Sequence, residues 1–187
     1  MCNALRCALA ATLVILLAAC APRIEPRAQP QAVPTAVETA QSIFDQITTL
    51  HVDGLPSDEQ MRVLGPLLTA ELRQALEAAR DWQRSEIERM QRAGSEDKPP
   101  FVEGDLFSSL FEGAQSSRVL SVAGNDARSV AQIERSYGAG TDRVVWRDRA
   151  ILRRAGDGWL LVDIEYGGDW AFQAGSGSLA QTLKWRD

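Results

Sequence analysis

The chain has 187 residues, a formal net charge of −5 and a pI near 5.0, which argues against a nucleic-acid partner, since that binding rests on clustered Lys and Arg. Hydrophobic residues at 45% and charged residues at 24% give a globular profile with room for one domain, not a disordered or fibrous chain. Three cysteines and the lone His51 offer neither a disulfide framework nor zinc-site spacing, so no metal and no cofactor is expected.

Arg6 precedes an apolar run over residues 7–19. As a helix this run rises about 20 Å, short of a hydrocarbon core of about 30 Å, so a spanning anchor is not expected. A charged start, a short apolar centre and small residues before a cut form the secretory signal pattern. Leu17-Ala18-Ala19-Cys20 matches the bacterial lipobox. That resemblance implies a signal peptide over residues 1–19, cleavage before Cys20, diacylglycerol on its sulfur and an acyl chain such as palmitate on its new amino group. One chain anchors only marginally and several anchor stably, since each buried methylene contributes roughly 0.8 kcal/mol. Ala21, in place of an Asp, implies export to the outer membrane with the domain facing the periplasm. Cys2 and Cys7 leave with the signal, so the processed chain has no thiol for catalysis or disulfides.

Residues 20–34 carry the lipidated cysteine and prolines at 22, 26, 30 and 34. Proline at every fourth position fixes φ and removes donors, leaving a polyproline-like tether that reaches roughly 40 Å. The first aromatic residue is Phe44, so the core begins after this tether, and a single domain is expected over 35–187.

Thr35-x-x-Glu38 is a capping box, followed by Val37, Ala40, Phe44, Ile47 and His51 at helical spacing. Gly54 and Pro56 end this helix, with His51 near its C-terminal dipole. Ser57 to Gln60 opens a short second helix. Thr69 starts the longest one, which runs through Leu72, Leu76, Trp82 and Met90 to a stop at Gly94. Strands are predicted near 117–123, 128–137, 143–154 and 159–166, forming an antiparallel meander; a short strand near 170–172 and a terminal helical turn near 179–185 follow. Helices first and sheet second predict an α+β fold, with N-terminal helices packed on one face of a curved antiparallel sheet. In the last hairpin, uniform alternation predicts Leu152 opposite Leu160, Ala150 opposite Val162 and Trp146 opposite Tyr166, with Arg149 facing Asp163 and Arg147 facing Glu165.

Residues 98–113 gather three phenylalanines, three carboxylates and two glycines. The segments Lys98-Pro99-Pro100, Gly104-Asp105-Leu106-Phe107-Ser108-Ser109-Leu110-Phe111-Glu112-Gly113, Trp146-Arg147-Asp148 and Gly158-Trp159 to Asp163 resemble a family of small bacterial lipoproteins bearing a domain of unknown function. The resemblance covers roughly residues 40–185. It implies a nuclear transport factor 2-like fold, a cone of helices over a curved sheet, and it implies no particular activity.

Glu103, Asp105 and Glu112 are acid–base candidates if they meet in a cavity. The favoured expectation is plainer: Asp105 caps a short helix over 106–111, and Phe107 and Phe111 enter the core. Asp148 stands among apolar neighbours on the core-facing parity, so Asp148, Trp146 and Tyr166 form the candidate pocket. Trp159, Leu161 and Trp170 form a candidate exposed partner surface. The main functional expectation is a non-enzymatic binding or accessory module of the envelope, joined to the membrane through Cys20 and to an envelope protein partner. Two alternatives stand beside it. One is a small-ligand pocket protein or hydrolase/isomerase on the same fold; the other is a periplasmic immunity or inhibitor protein.

Overall fold

The computed structural model describes residues 34–168 and 177–184. The signal peptide, Cys20, nearly all of the tether, Trp170 and the strand near 170–172 lie outside these residues.

Helix α1 spans Ala36–Leu50, α2 spans Asp58–Leu64 and α3 spans Ala70–Ala93. Each begins at the side chain the sequence marks. Thr35 and Glu38 exchange both bonds of a capping box, Ser57 and Gln60 do the same, and Thr69 Oγ1 accepts from Leu72 N. His51 closes α1 in the left-handed conformation at φ 45°, three residues before Gly54. Gly94 closes α3 at φ 64°.

Strands β1 (Ser116–Gly124), β2 (Arg128–Tyr137), β3 (Val144–Ala155) and β4 (Gly158–Glu165) form one antiparallel sheet in chain order, and α4 (Leu179–Thr182) follows. The fold is α+β. Ala40, Ile43, Phe44 and Ile47 of α1 and Leu72, Leu76 and Ala79 of α3 are buried in one cluster with Ala131, Ile133, Ala150, Leu152, Leu161 and Ile164 of the sheet. Gln41 fastens α1 to the sheet edge, donating to Ser117 O at 3.0 Å and accepting from Val119 N at 2.9 Å. Its amide thus takes the place of a neighbouring strand.

The β3–β4 register differs from the expected one. Leu152 faces Leu161, Ala150 faces Ile164 and Arg149 faces Glu165, with an irregularity between Ile151 and Leu152 that leaves Val162 as the extra residue of a bulge. The apolar residues of 159–166 occupy both parities, and a uniform strand can bury only one of them. The bulge changes parity midway, so Trp159 and Leu161 face inward before Val162 and Ile164 faces inward after it. Arg147 therefore lies near Glu134 of β2 at 3.9 Å, not near Glu165. Asp163 does not meet Arg149; its Oδ1 accepts from Ala180 N at 2.9 Å and holds the start of α4.

Candidate functional site

The segment from Lys98 to Gln115 crosses from α3 to β1, and its middle part closes on itself. Asp105 N donates to Phe111 O at 2.9 Å. Six residues of helix would separate those positions by about 9 Å, so the expected helix over 106–111 is absent and a closed loop stands in its place. Side chains compete with the helical ladder here: Asp105 Oδ1 accepts from Phe107 N at 2.7 Å and Ser108 Oγ accepts from Leu110 N at 3.1 Å. Asp105 does cap its neighbour, but in a turn rather than at a helix start. Phe107 enters the core fully, whereas Phe111 is 38% exposed, contrary to expectation. Gly104 and Gly113 both have positive φ, and a Cβ on them would lie 2.6 Å from the Phe111 ring and 2.7 Å from Asp105 Oδ2. The G-D-x-F-S-S-x-F-E-G spacing is thus a folding requirement of this loop.

Beneath the loop lies a buried polar cluster centred on Asp148, which has no exposed surface. Its Oδ1 accepts from Ser109 Oγ at 2.5 Å and Gly167 N at 3.1 Å. Its Oδ2 accepts from Trp146 Nε1 at 3.0 Å and Ser109 N at 3.4 Å, and faces Arg135 Nη1 at 3.5 Å. Tyr166 completes the anchorage by donating its hydroxyl to Leu106 O at 2.6 Å, and burial keeps its phenol well above the usual range. Asp148, Trp146 and Tyr166 tie the loop and the exit of β4 to the sheet, and they are not among the residues that line the cleft on the other side of Asp105. Burying a carboxylate is costly unless donors surround it, and these donors do so.

Arg135, also fully buried, was not anticipated. It stands on the same face of β2 as Ala131 and Ile133, one step from Asp148, because Ile133 pairs with Asp148 and Arg135 pairs with Trp146. A charged residue at core parity is the signal that could have revealed it. Nη1 also donates to Phe107 O, and the guanidinium lies 5.3 Å from the centre of the Phe44 ring. Nη2 reaches only to 4.0 Å from Asp105 Oδ2. Neither Nε nor Nη2 has a hydrogen-bond partner among the described residues.

On the other side of Asp105 opens a cleft of about 550 Å³. Three segments form it: the last turn of α1 with 51–53, the 103–115 part of the loop, and Tyr137 at the end of β2. Ile47, Val52 and Phe111 contribute apolar surface, and His51, Asp53 and Glu112 contribute ionisable groups. Asp105 lies deepest of the carboxylates, with its side chain 12% exposed. Burial raises its pKa to about 6, helped by the nearby Asp148 charge and opposed by Arg135, by the Phe107 amide and by His51. Asp53 Oδ1 accepts from Gly104 N at 2.5 Å, and Glu103 pairs with Lys98 at 2.8 Å. The three carboxylates of the motif, Glu103, Asp105 and Glu112, thus do surround one cavity, although the favoured sequence expectation gave them no shared site.

Of the three residues of the expected partner surface, Trp170 lies outside the described residues and the other two are enclosed: Trp159 is 8% exposed and Leu161 is fully buried. The bulge turns both inward, and the Arg154 guanidinium lies 5.5 Å from the Trp159 ring centre.

Against models of protein families, curated proteins and solved structures, the chain has no significant match.

Proposed function

We propose that the chain is a lipid-anchored protein of the bacterial outer membrane whose domain faces the periplasm and acts there as a non-enzymatic binding or accessory module for an envelope partner. The Leu17-Ala18-Ala19-Cys20 sequence supports the anchor, and among the described residues no helix is long and apolar enough to cross a membrane. Helices on one face of a curved sheet, with a cleft between α1 and the loop that follows α3, support a nuclear transport factor 2-like cone as the fold.

The binding role rests on the cleft, which combines apolar walls with a few converging polar groups. Contact with a partner or ligand accordingly moves from the Trp159 surface to the cleft mouth, where Phe111 and Glu112 are exposed. An acid–base enzyme on the same fold is the second reading, favoured by Asp105 with its pKa near 6. Binding ranks first because Asp105 Oδ1 is held by the Phe107 amide and the carboxylate faces the positive charge of Arg135. The inhibitor reading ranks last, because arginines and acids alternate across the exposed sheet face, as in Arg118–Glu134 and Arg149–Glu165.

Two experiments in the producing cells test this. Labelled palmitate should enter the protein and be lost with Cys20→Ser; incorporation that survives the substitution overturns the anchor. A photocrosslinking residue at position 112 should capture one reproducible envelope partner or small molecule, whereas one at position 126 should not. Equal capture at both positions, or none at 112, overturns the cleft as the binding site.

A further inference from the structure

We propose that the cleft receives the ammonium group of a ligand with an aliphatic body, and that Asp105 Oδ2 at its floor takes the charge while Glu112 supports it at the rim. This deepens the binding role above and rests on it.

The shape is the first support. The cleft has a volume of about 550 Å³, with Ile47 and Val52 on one wall and the rings of Phe111 and Tyr137 on others. It offers a methylene chain apolar contact while leaving its end among ionisable groups.

A carboxylate oxygen without a close cation is the second. Asp105 Oδ1 is taken by Phe107 N, and the ion pair of Oδ2 with Arg135 Nη2 is long, at 4.0 Å. Arg135 is fully enclosed, with Nη1 committed to Phe107 O and facing Asp148, and its plane set against Phe44. It cannot swing outward, and its Nε and Nη2 remain without acceptors. A carboxylate that is mostly enclosed, keeps some open surface on the cleft and holds its cation only at long range is the kind of group that a ligand donor can reach. Burial raises its pKa to about 6 despite Arg135 and the Phe107 amide, and a cation placed against it would favour the ionised form.

Charge selects the ligand class. Asp53, Glu103, Asp105 and Glu112 line the cleft, and the basic side chains beside them are His51, Lys98, which Glu103 holds, and the enclosed Arg135, which Asp148 and Asp105 share. Such a lining attracts cations and repels carboxylates and phosphates. Among the described residues no three His, Cys, Asp or Glu side chains converge as a metal site would need. The acids are spread along the wall, which suits an extended organic cation. A single open oxygen matches an N–H of an ammonium; a guanidinium fork is best met by two parallel acceptors.

Titration calorimetry on the full lipoprotein in mild detergent, with hexylamine, hexanol and hexanoate as probes, tests this assignment. Hexylamine should bind and hexanoate should not. Affinity should fall about tenfold in Asp105→Asn, a loss of roughly 1.4 kcal/mol, and several-fold in Glu112→Gln. It should also weaken as the pH is lowered through about 6, where a proton competes for Asp105. A lysine-bearing peptide and its acetylated form separate the sources of the group. Tighter binding of the unmodified peptide than of hexylamine assigns a protein lysine; the reverse assigns a free amine. Absence of amine binding, equal binding of hexanoate, or affinity unchanged in both variants overturns the inference. If hexanol or hexanoate binds and the amine does not, the charge assignment fails and the cleft stands as a binding site. If no probe binds and position 112 captures nothing in cells, the binding role fails with it.

Discussion

The guanidinium of Arg135 stands 3.5 Å from the carboxylate of Asp148, and neither side chain has any exposed surface. Asp105 lies on the other flank of the same guanidinium at 4.0 Å, so one buried cation serves two carboxylates. The arrangement fastens the 98–115 loop to the sheet and sets the charge of the cleft floor.

Removing Arg135 should therefore be severe. Arg135→Met leaves Asp148 buried without its cation and is expected to cost about 3–5 kcal/mol. Combining it with Asp148→Leu should cost clearly less than the two single changes added together, because the second change removes the stranded charge. Urea unfolding of the three variants reads this directly. Additive losses would show that the two side chains do not act as a pair.

Asp105 gives the domain a pH dependence of definite sign. Its folded-state pKa is raised from 3.8 to about 6, so the folded protein binds that proton more tightly than the unfolded chain does. The resulting penalty is full above about 6 and vanishes below 3.8, so this group favours stability as pH falls from about 7 towards 4. Asp105→Asn keeps the acceptor for Phe107 N. It should stabilise the protein near pH 7 by about 1–3 kcal/mol, with the gain shrinking towards pH 4. A gain that is constant across this range would assign the effect to something other than ionisation.

Gly167 should tolerate no side chain. A Cβ there would lie 1.7 Å from Arg147 O, against the strand that carries Asp148. Gly167→Ala is expected to cost several kcal/mol, since neither backbone can yield that distance. Gly156→Ala, at φ 57° in open space, should cost only about 1–2 kcal/mol. Thermal unfolding of the two variants side by side checks the ranking, and equal losses would contradict the close approach.

Trp159→Ala should act on stability and not on a surface. Its side chain is 8% exposed in the main core, so truncation is expected to cost about 3–5 kcal/mol. Circular dichroism during urea unfolding measures the loss. A variant of unchanged stability that lost its crosslinked partner would instead return Trp159 to the interaction surface.

Local features were legible in the sequence. Thr35, Ser57 and Thr69 mark their helix starts because a capping side chain reaches only two or three residues along the chain, and Gly94 marks a stop through its own φ. The four strands follow from period-two patterning between turn residues, and their order follows from short connections. Asp148 was visible as a polar residue at core parity, and the same test applied to β2 would have found Arg135.

Only the tertiary structure decided the rest. The bulge at Val162 depends on which of two apolar parities the helices can cover, a choice that the strand's own residues leave balanced. The loop over 105–111 closes because Asp148, Arg135 and Tyr166 hold it from elsewhere in the chain, overriding a local helix signal. The cleft joins residues 47–53, 103–115 and 137, and no periodicity relates positions so far apart. Capping and alternation act between near neighbours, so sequence can display them; burial and the charges it brings together exist only once distant segments have packed.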